Sequence, residues 1–255
     1  MIGRLISQAL ADPRSQQPIT VAFRTCQGAR HPGRGGGYRN EVVSIRAGAA
    51  VGSCAIEPGT GGDDLFGLTG RPVADGLRHP DPAIRLAALD AFLLAVQPHE
   101  SDPAAEAVRL PAGDSLARSL ARAHAVAGLL PPEAERVAVV GVVNSLLQAL
   151  RDRGVGYVPC DLKGGSTEWG EPIVTDAVAA ADGADALLVS GMTLGNGTFE
   201  ALAATGKPIV LFAQSGSAVA RALLGQGVTA VSAEPFPFFW LTGSDSQIFL
   251  YRSAS

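Results

Sequence analysis

The sequence predicts an α/β protein: a doubly wound parallel sheet in the C-terminal part, preceded by a smaller α+β domain. Three observations carry that reading. From Arg136 onward, short apolar runs alternate with helical patterns. Those runs are continuously apolar, as strands covered by helices on both faces require. Earlier in the chain, candidate strands come first and helices after, the order of an α+β unit. The division is placed at residues 1–110 and 111–255.

Residues 3–11 have the apolar spacing of a short amphipathic helix, and Arg4 interrupts it before a signal-peptide core could form. The β-branched run 18–26 reads as a strand, as do 41–46 and 49–57. Between the first two lies a glycine-rich loop over 28–40, so a meander is expected. A short helix follows at 72–77. Asp81 then caps a longer one from Pro82 to Gln97, with proline at the first helical position as N-termini prefer. Its apolar residues surround it, so burial on several sides is expected. The polar, irregular segment 98–111 reads as a linker, and Asp114 caps a helix through Ala127.

In the C-terminal part, strands are expected at 137–140, 155–160, 186–190, 208–213 and 228–232, with helices near 142–152, 171–182, 198–205 and 217–224. A last strand at 247–251 is expected to lie antiparallel at an edge. The aromatic segment Pro235–Trp240 either walls a pocket or a dimer seam, or packs against that last strand; the seam would make the chain a homo-oligomer.

Open α/β sheets bind ligands outside the carboxyl ends of their strands, which directs attention to the polar strand ends. The strand at 186–190 stops at Ser190 and is followed by Thr193, Asn196 and Thr198 before a helix, with Asn196 a natural N-cap. A helix start of this kind attracts anions. The next strand ends in Ser215 and Ser217, so two adjacent polar edges form a crevice. Local turn bonding would use the same residue types. The first strand runs into Gly141 and Asn144 where a dinucleotide fold would carry three glycines, and Asp161 stands about 20 residues on, the place of a ribose-binding acid. This half-match admits an adenosylated or other nucleotide, or only a turn glycine and a loop acid.

From the first domain, Arg24, Arg39 and Glu57 would face those edges. Arg30, His31 and Arg34 would make the glycine loop a mobile cationic lid, and Asp63 and Asp64 beside Glu57 would bind a hard cation; the alternative for both is a solvated surface. Cysteines 26, 54 and 160 lack metal or disulfide spacing and read as buried thiols, and the four histidines are dispersed. No G-x-S-x-G occurs, and no histidine follows Arg136, which argues against a serine hydrolase.

Net charge is −4 and no basic cluster interleaves with aromatics, which argues against nucleic acid. No apolar run reaches the roughly 18 residues of a membrane span. A cytoplasmic location with a small-molecule partner is expected.

Residues 38–42, 56–60, 68–73, 85–91, 190–199 and 234–238 together resemble a family of unknown function described as heavy-metal chelation proteins. The Asn196-Gly197-Thr198 turn is the most specific of these matches. The resemblance implies an enolase-N-terminal-like domain before the Rossmann-like one, a ligand site between them, and metal-chelate handling. The expected function is therefore binding of a small anionic or metal-chelating ligand in that cleft. The alternative is a transferase or lyase using S-adenosylmethionine or another nucleotide. A divalent metal is the other candidate cofactor, with no ligand set assigned to it.

Overall fold

Two sheets organise the chain, and the alternation of side chains along their strands decides which faces are buried. The computed structural model describes residues 1–30, 37–62 and 64–253. A small antiparallel sheet is formed by β1 (Ile19–Arg30), β2 (Gly37–Ala47) and β3 (Ala50–Ile56), in that order. Around it lie α1 (Ile2–Ala11), α2 (Val73–Leu77) and α3 (Pro82–Val96). Asp81 caps α3 by accepting the Ala83 N–H at 2.8 Å. At Gly52 of β3 any Cβ would sit 2.0 Å from the Ala91 backbone nitrogen, so the strand lies directly on the α3 backbone.

The large sheet contains β4 (Glu106–Leu110), β5 (Arg136–Val140), β6 (Gly156–Cys160), β7 (Ala186–Ser190), β8 (Ile209–Ala213), β9 (Val228–Ala233) and β10 (Ser246–Arg252). Their order is β4-β10-β9-β8-β7-β5-β6, parallel from β9 to β6, with β10 antiparallel to both neighbours. The helices are α4 (Ser115–Ala127), α5 (Asn144–Asp152), α6 (Ala177–Ala181), α7 (Met192–Asn196), α8 (Phe199–Ala203) and α9 (Ser217–Ala222).

Alternate residues of each parallel strand enter different cores. Val137, Val139, Leu188 and Val210 share one with α4 and α5. Ala138, Val140, Leu187, Val189 and Leu211 share the other with Val43, Ile45 and α3. The small sheet and its helices thus complete the core on one face of the large sheet. Asp90 of α3 fastens them, accepting the Ser53 N–H at 3.0 Å and the Ala218 N–H of α9 at 2.7 Å.

Several expectations need correction. The glycine loop is mostly hairpin: β1 runs to Arg30 and β2 begins at Gly37. His31, Arg34 and Asp63 lie outside the described residues. Segment 98–111 is not an open linker. His99–Ser101 form a turn of 3-10 helix, and Glu106–Leu110 become β4, so the chain enters the large sheet before residue 110. That strand takes the sheet edge, leaving β10 between β4 and β9. The helix expected at 171–182 shrinks to Ala177–Ala181, because Pro172 and Val174 instead bridge Ser166 and Cys160. Cys26 is exposed on the hairpin, whereas Cys54 and Cys160 are buried and burial pushes their thiols up to about 12 and about 11. Among the described residues, no helix is long and apolar enough to cross a membrane.

Candidate functional site

The strand order places the site. β6 lies on one side of β5 and β7 on the other, so the loops leaving β5 and β7 turn in opposite directions. A crevice opens at the carboxyl end of such a reversal. A cavity of about 420 Å³ lies there, lined by Val142, Val143, Asn144 and Ser145 beyond β5 and by Ser190, Gly191 and Met192 beyond β7. Gly141 makes the turn between β5 and α5 with φ +90°, and a Cβ on it would fall 2.6 Å from Ser190 Cβ. Both the conformation and the contact demand glycine.

Neighbouring strand ends extend the wall with Asp161 and Lys163 after β6 and with Gln214 and Ser215 after β8. Asn40, Val42 and Ala55 of the small sheet face them. The two sheets are joined beside the cavity, where Ser215 Oγ accepts the Ala55 N–H at 2.9 Å and the Gly216 N–H donates to Ser53 O at 2.8 Å.

The most strongly buried charges at the site are Arg122 of α4 and Glu234 after β9, joined Nε to Oε1 at 2.7 Å. Glu234 also accepts from Ser232 Oγ at 3.0 Å and from Gln214 Nε2 at 3.1 Å. Gln214 Oε1 in turn accepts the Trp240 indole N–H at 2.8 Å. The Arg122 guanidinium stands 5.1 Å from the Phe212 ring centroid and 5.9 Å from that of Phe239. This network holds the cation against the cavity wall through Nε, with Glu234 fully engaged by Arg122, Ser232 and Gln214.

The start of α5 is different. No side chain caps it, and the buried Oγ of Ser145 and Oδ1 of Asn144 have no hydrogen-bond partner. On the β6 side, Asp161 accepts the Val142 N–H at 3.3 Å and the Lys163 N–H at 3.1 Å. Lys163 Nζ reaches across to Glu57 Oε2 at 2.7 Å.

No family model matches the chain, and no curated protein sequence does. The fold is nevertheless shared. A protein of unknown function from the DUF364 family of Desulfitobacterium hafniense DCB-2 superposes with a TM-score of 0.61 at 15% identity, over 98% of this chain and 97% of that one. A DUF364 family protein of unknown function from Pyrococcus horikoshii gives a TM-score of 0.61 at 12% identity, over 97% and 98%. At these identities the likeness shows the architecture alone: a large, mostly parallel sheet with a small antiparallel one.

Of the residues singled out by sequence, Asn144, Asp161, Ser190 and Ser215 line the cavity, and Gly141 supports it. The others are not among its lining. Thr193 is buried with its hydroxyl on Ser190 O at 2.8 Å. Asn196 ends α7 rather than capping the next helix; its Oδ1 accepts the Thr198 N–H at 3.1 Å and the Thr198 hydroxyl at 2.7 Å. Ser217 is buried against His99 Nε2 at 3.2 Å. Arg24 donates to Gly61 O and stands 3.8 Å from Glu41, and Arg39 pairs with Glu41 at 2.5 Å. Glu57 is reached only through Lys163.

Sequence reasoning missed Arg122, Ser145 and Lys163. Arg122 lies on the half-polar helix that Asp114 caps, and nothing near it in sequence marks its partner.

Outside the cavity lining, His99 is buried between the Tyr251 hydroxyl, 2.7 Å from Nδ1, and Ser217. Burial, then the Arg221 charge, drive its pKa down to about 3, so it is neutral. Burial pushes the Asp90 carboxyl up to about 7, against the lowering effect of the Ser53, Ala218 and Val219 N–H groups. Neither group lines the cavity.

Proposed function

We propose that the chain binds a small anionic or metal-chelating ligand in the cleft between an enolase-N-terminal-like unit built on the small sheet and a Rossmann-like unit built on the large sheet, which β4 joins before residue 111. The observation that carries this reading is the cavity at the strand-order reversal, where unpartnered polar atoms of Asn144 and Ser145 and the buried Arg122 meet. Unpaired buried polar groups are costly, and a ligand that supplies their hydrogen bonds offsets that cost.

The donor set does not fit a bare resident metal. Among the described residues, no group of three or more His, Cys, Asp and Glu side chains is placed to hold one. Serine, amide and guanidinium groups suit instead a ligand that brings its own charge, a metal chelate included. The resemblance to the heavy-metal chelation family points the same way.

A second reading rests on Asp161. Its carboxylate sits at the β5–β6 edge beside the Gly141 turn, where a nucleoside ribose would meet it. A nucleotide-dependent transferase or lyase would use that corner.

A thermal-shift screen with anions, metal chelates, S-adenosylmethionine and nucleotides tests the first reading, because a ligand that binds only the folded chain raises its melting temperature. Ser190→Phe fills the cavity and should abolish any shift found. A shift that survives in this variant places the ligand elsewhere. Nucleoside-dependent stabilisation lost in Asp161→Asn would favour the second reading.

A further inference from the structure

The geometry points to an oxyanion subsite at the start of α5: the ligand carries a carboxylate or phosphate group held by Ser145 Oγ, the Asn144 and Ser145 N–H groups and the Arg122 guanidinium. This deepens the reading of the cavity as a ligand site and rests on it.

Four features converge. In the first turn of α5 the Leu146 N–H donates to Val143 O at 2.8 Å, while the N–H groups of Asn144 and Ser145 have no acceptor among the described residues and no side chain caps the helix. Ser145, in that turn, is 2% exposed and lines the cavity, yet its hydroxyl has no partner. As the second residue of the helix, Ser145 has no preceding turn whose carbonyl its hydroxyl could reach, and buried hydroxyls are almost always satisfied. An unsatisfied one on a residue that lines a cavity marks a place for an acceptor from outside the chain.

The cation is the third feature. Arg122 gives Nε to Glu234, and no hydrogen bond to a described residue occupies its two terminal nitrogens. Phe212 brings it to the same wall, since its ring lies 5.1 Å from the guanidinium and its tip is 3.8 Å from a Cβ position on Gly141. A guanidinium edge and a helix start together suit the planar oxygens of a carboxylate or the tripod of a phosphate.

The fourth is the disposition of the carboxylates. Glu234 is compensated by Arg122, Glu57 by Lys163, and Asp161 is held by the Val142 and Lys163 N–H groups. Asn144 Oδ1, buried and unpaired, is an acceptor and asks for a donor. The ligand therefore carries a hydroxyl or amino group next to its oxyanion.

The test titrates inorganic phosphate and, separately, malonate and lactate into the full chain at constant ionic strength, read by calorimetry. Saturable binding of at least one is expected. Loss of a hydrogen bond to a charged group should weaken it by about tenfold or more in Ser145→Ala. Phosphate against the two carboxylates distinguishes the headgroup, and lactate against malonate tests the neighbouring hydroxyl. Arg122→Lys should weaken binding too, while Ser145→Ala, which removes no hydrogen bond within the protein, remains folded and keeps the test decisive. Equal affinity in wild type and Ser145→Ala, or no saturable binding of any of the three, overturns the subsite. A neutral or cationic compound that binds wild type but not Ser190→Phe would then leave the cavity reading standing.

Discussion

Arg122 and Glu234 form an ion pair, Nε to Oε1 at 2.7 Å, with only 4% and 1% of their side chains exposed. Removing one member of such a pair strands the other charge, at a cost of about 3–5 kcal/mol. Arg122→Met is expected to lower stability by about that much, and Glu234→Gln by less, because the amide still serves Gln214 and Ser232. The double variant should lose less than the sum of the singles, by about 1 kcal/mol or more. Urea unfolding of the four proteins measures the coupling, and strict additivity would show that the pair contributes nothing as a pair.

Ser145→Ala should stabilise the ligand-free chain. The hydroxyl is buried without a partner, a state that costs about 1–3 kcal/mol, so its removal should raise the melting temperature by a few degrees. Ser44→Ala is the contrast. Its Oγ lies 2.9 Å from Ser53 Oγ in the buried face of the small sheet, and the substitution orphans that partner. Calorimetry should move the two variants in opposite directions. A Ser145→Ala protein destabilised as much as Ser44→Ala would mean that the hydroxyl is already satisfied.

The parallel strands were legible because each is a short apolar run bounded by glycine, proline or charge, and the polar ends at Asn144, Asp161, Ser190 and Ser215 followed from their positions. Helix α7 was not. Its Thr, Gly and Asn content reads as a turn, and it coils where a Cβ on Gly195 would meet Cys54 Sγ at 2.6 Å, a contact between distant parts of the chain. Arg122 and Glu234 are 112 residues apart, and Asp90 and Ala218 are 128 apart. Local pattern holds no trace of such pairings, so Thr198 and Ser217 looked as available for a ligand as Ser190.

Gly52→Ala tests how closely the small sheet is seated on α3. Its Cβ would lie 2.0 Å from Ala91 N and 2.3 Å from Ala87 O, both backbone atoms of a buried helix. Neither can withdraw without moving β3 and α3 apart. The variant should lose several kcal/mol, about the size of a severe overpacking, or fail to fold. Gly3→Ala, with nothing within 4 Å of its Cβ, should be neutral or slightly stabilising because alanine favours the helix. Comparable denaturation midpoints for the two would disprove the close approach.

The last prediction concerns pH. Folded Asp90 titrates near 7 against an ordinary 3.8, so between about pH 4 and 7 the fold holds a proton that the unfolded chain has released, and stability falls as pH rises. His99 has the opposite sign. Its pKa drops from 6.5 to about 3, so over that range the unfolded chain takes a proton that the fold refuses, and stability rises with pH. From about pH 4 to 6.5 the two slopes oppose each other, each at most about 1.4 kcal/mol per pH unit. Their sum should leave wild type with little dependence from this pair. His99→Gln removes one slope while an amide still serves Tyr251 or Ser217, so its urea midpoint should fall from pH 4.5 to 6.5 relative to wild type. Asp90→Asn should rise over the same interval. Curves parallel to wild type in both variants would mean that neither group titrates differently in the fold.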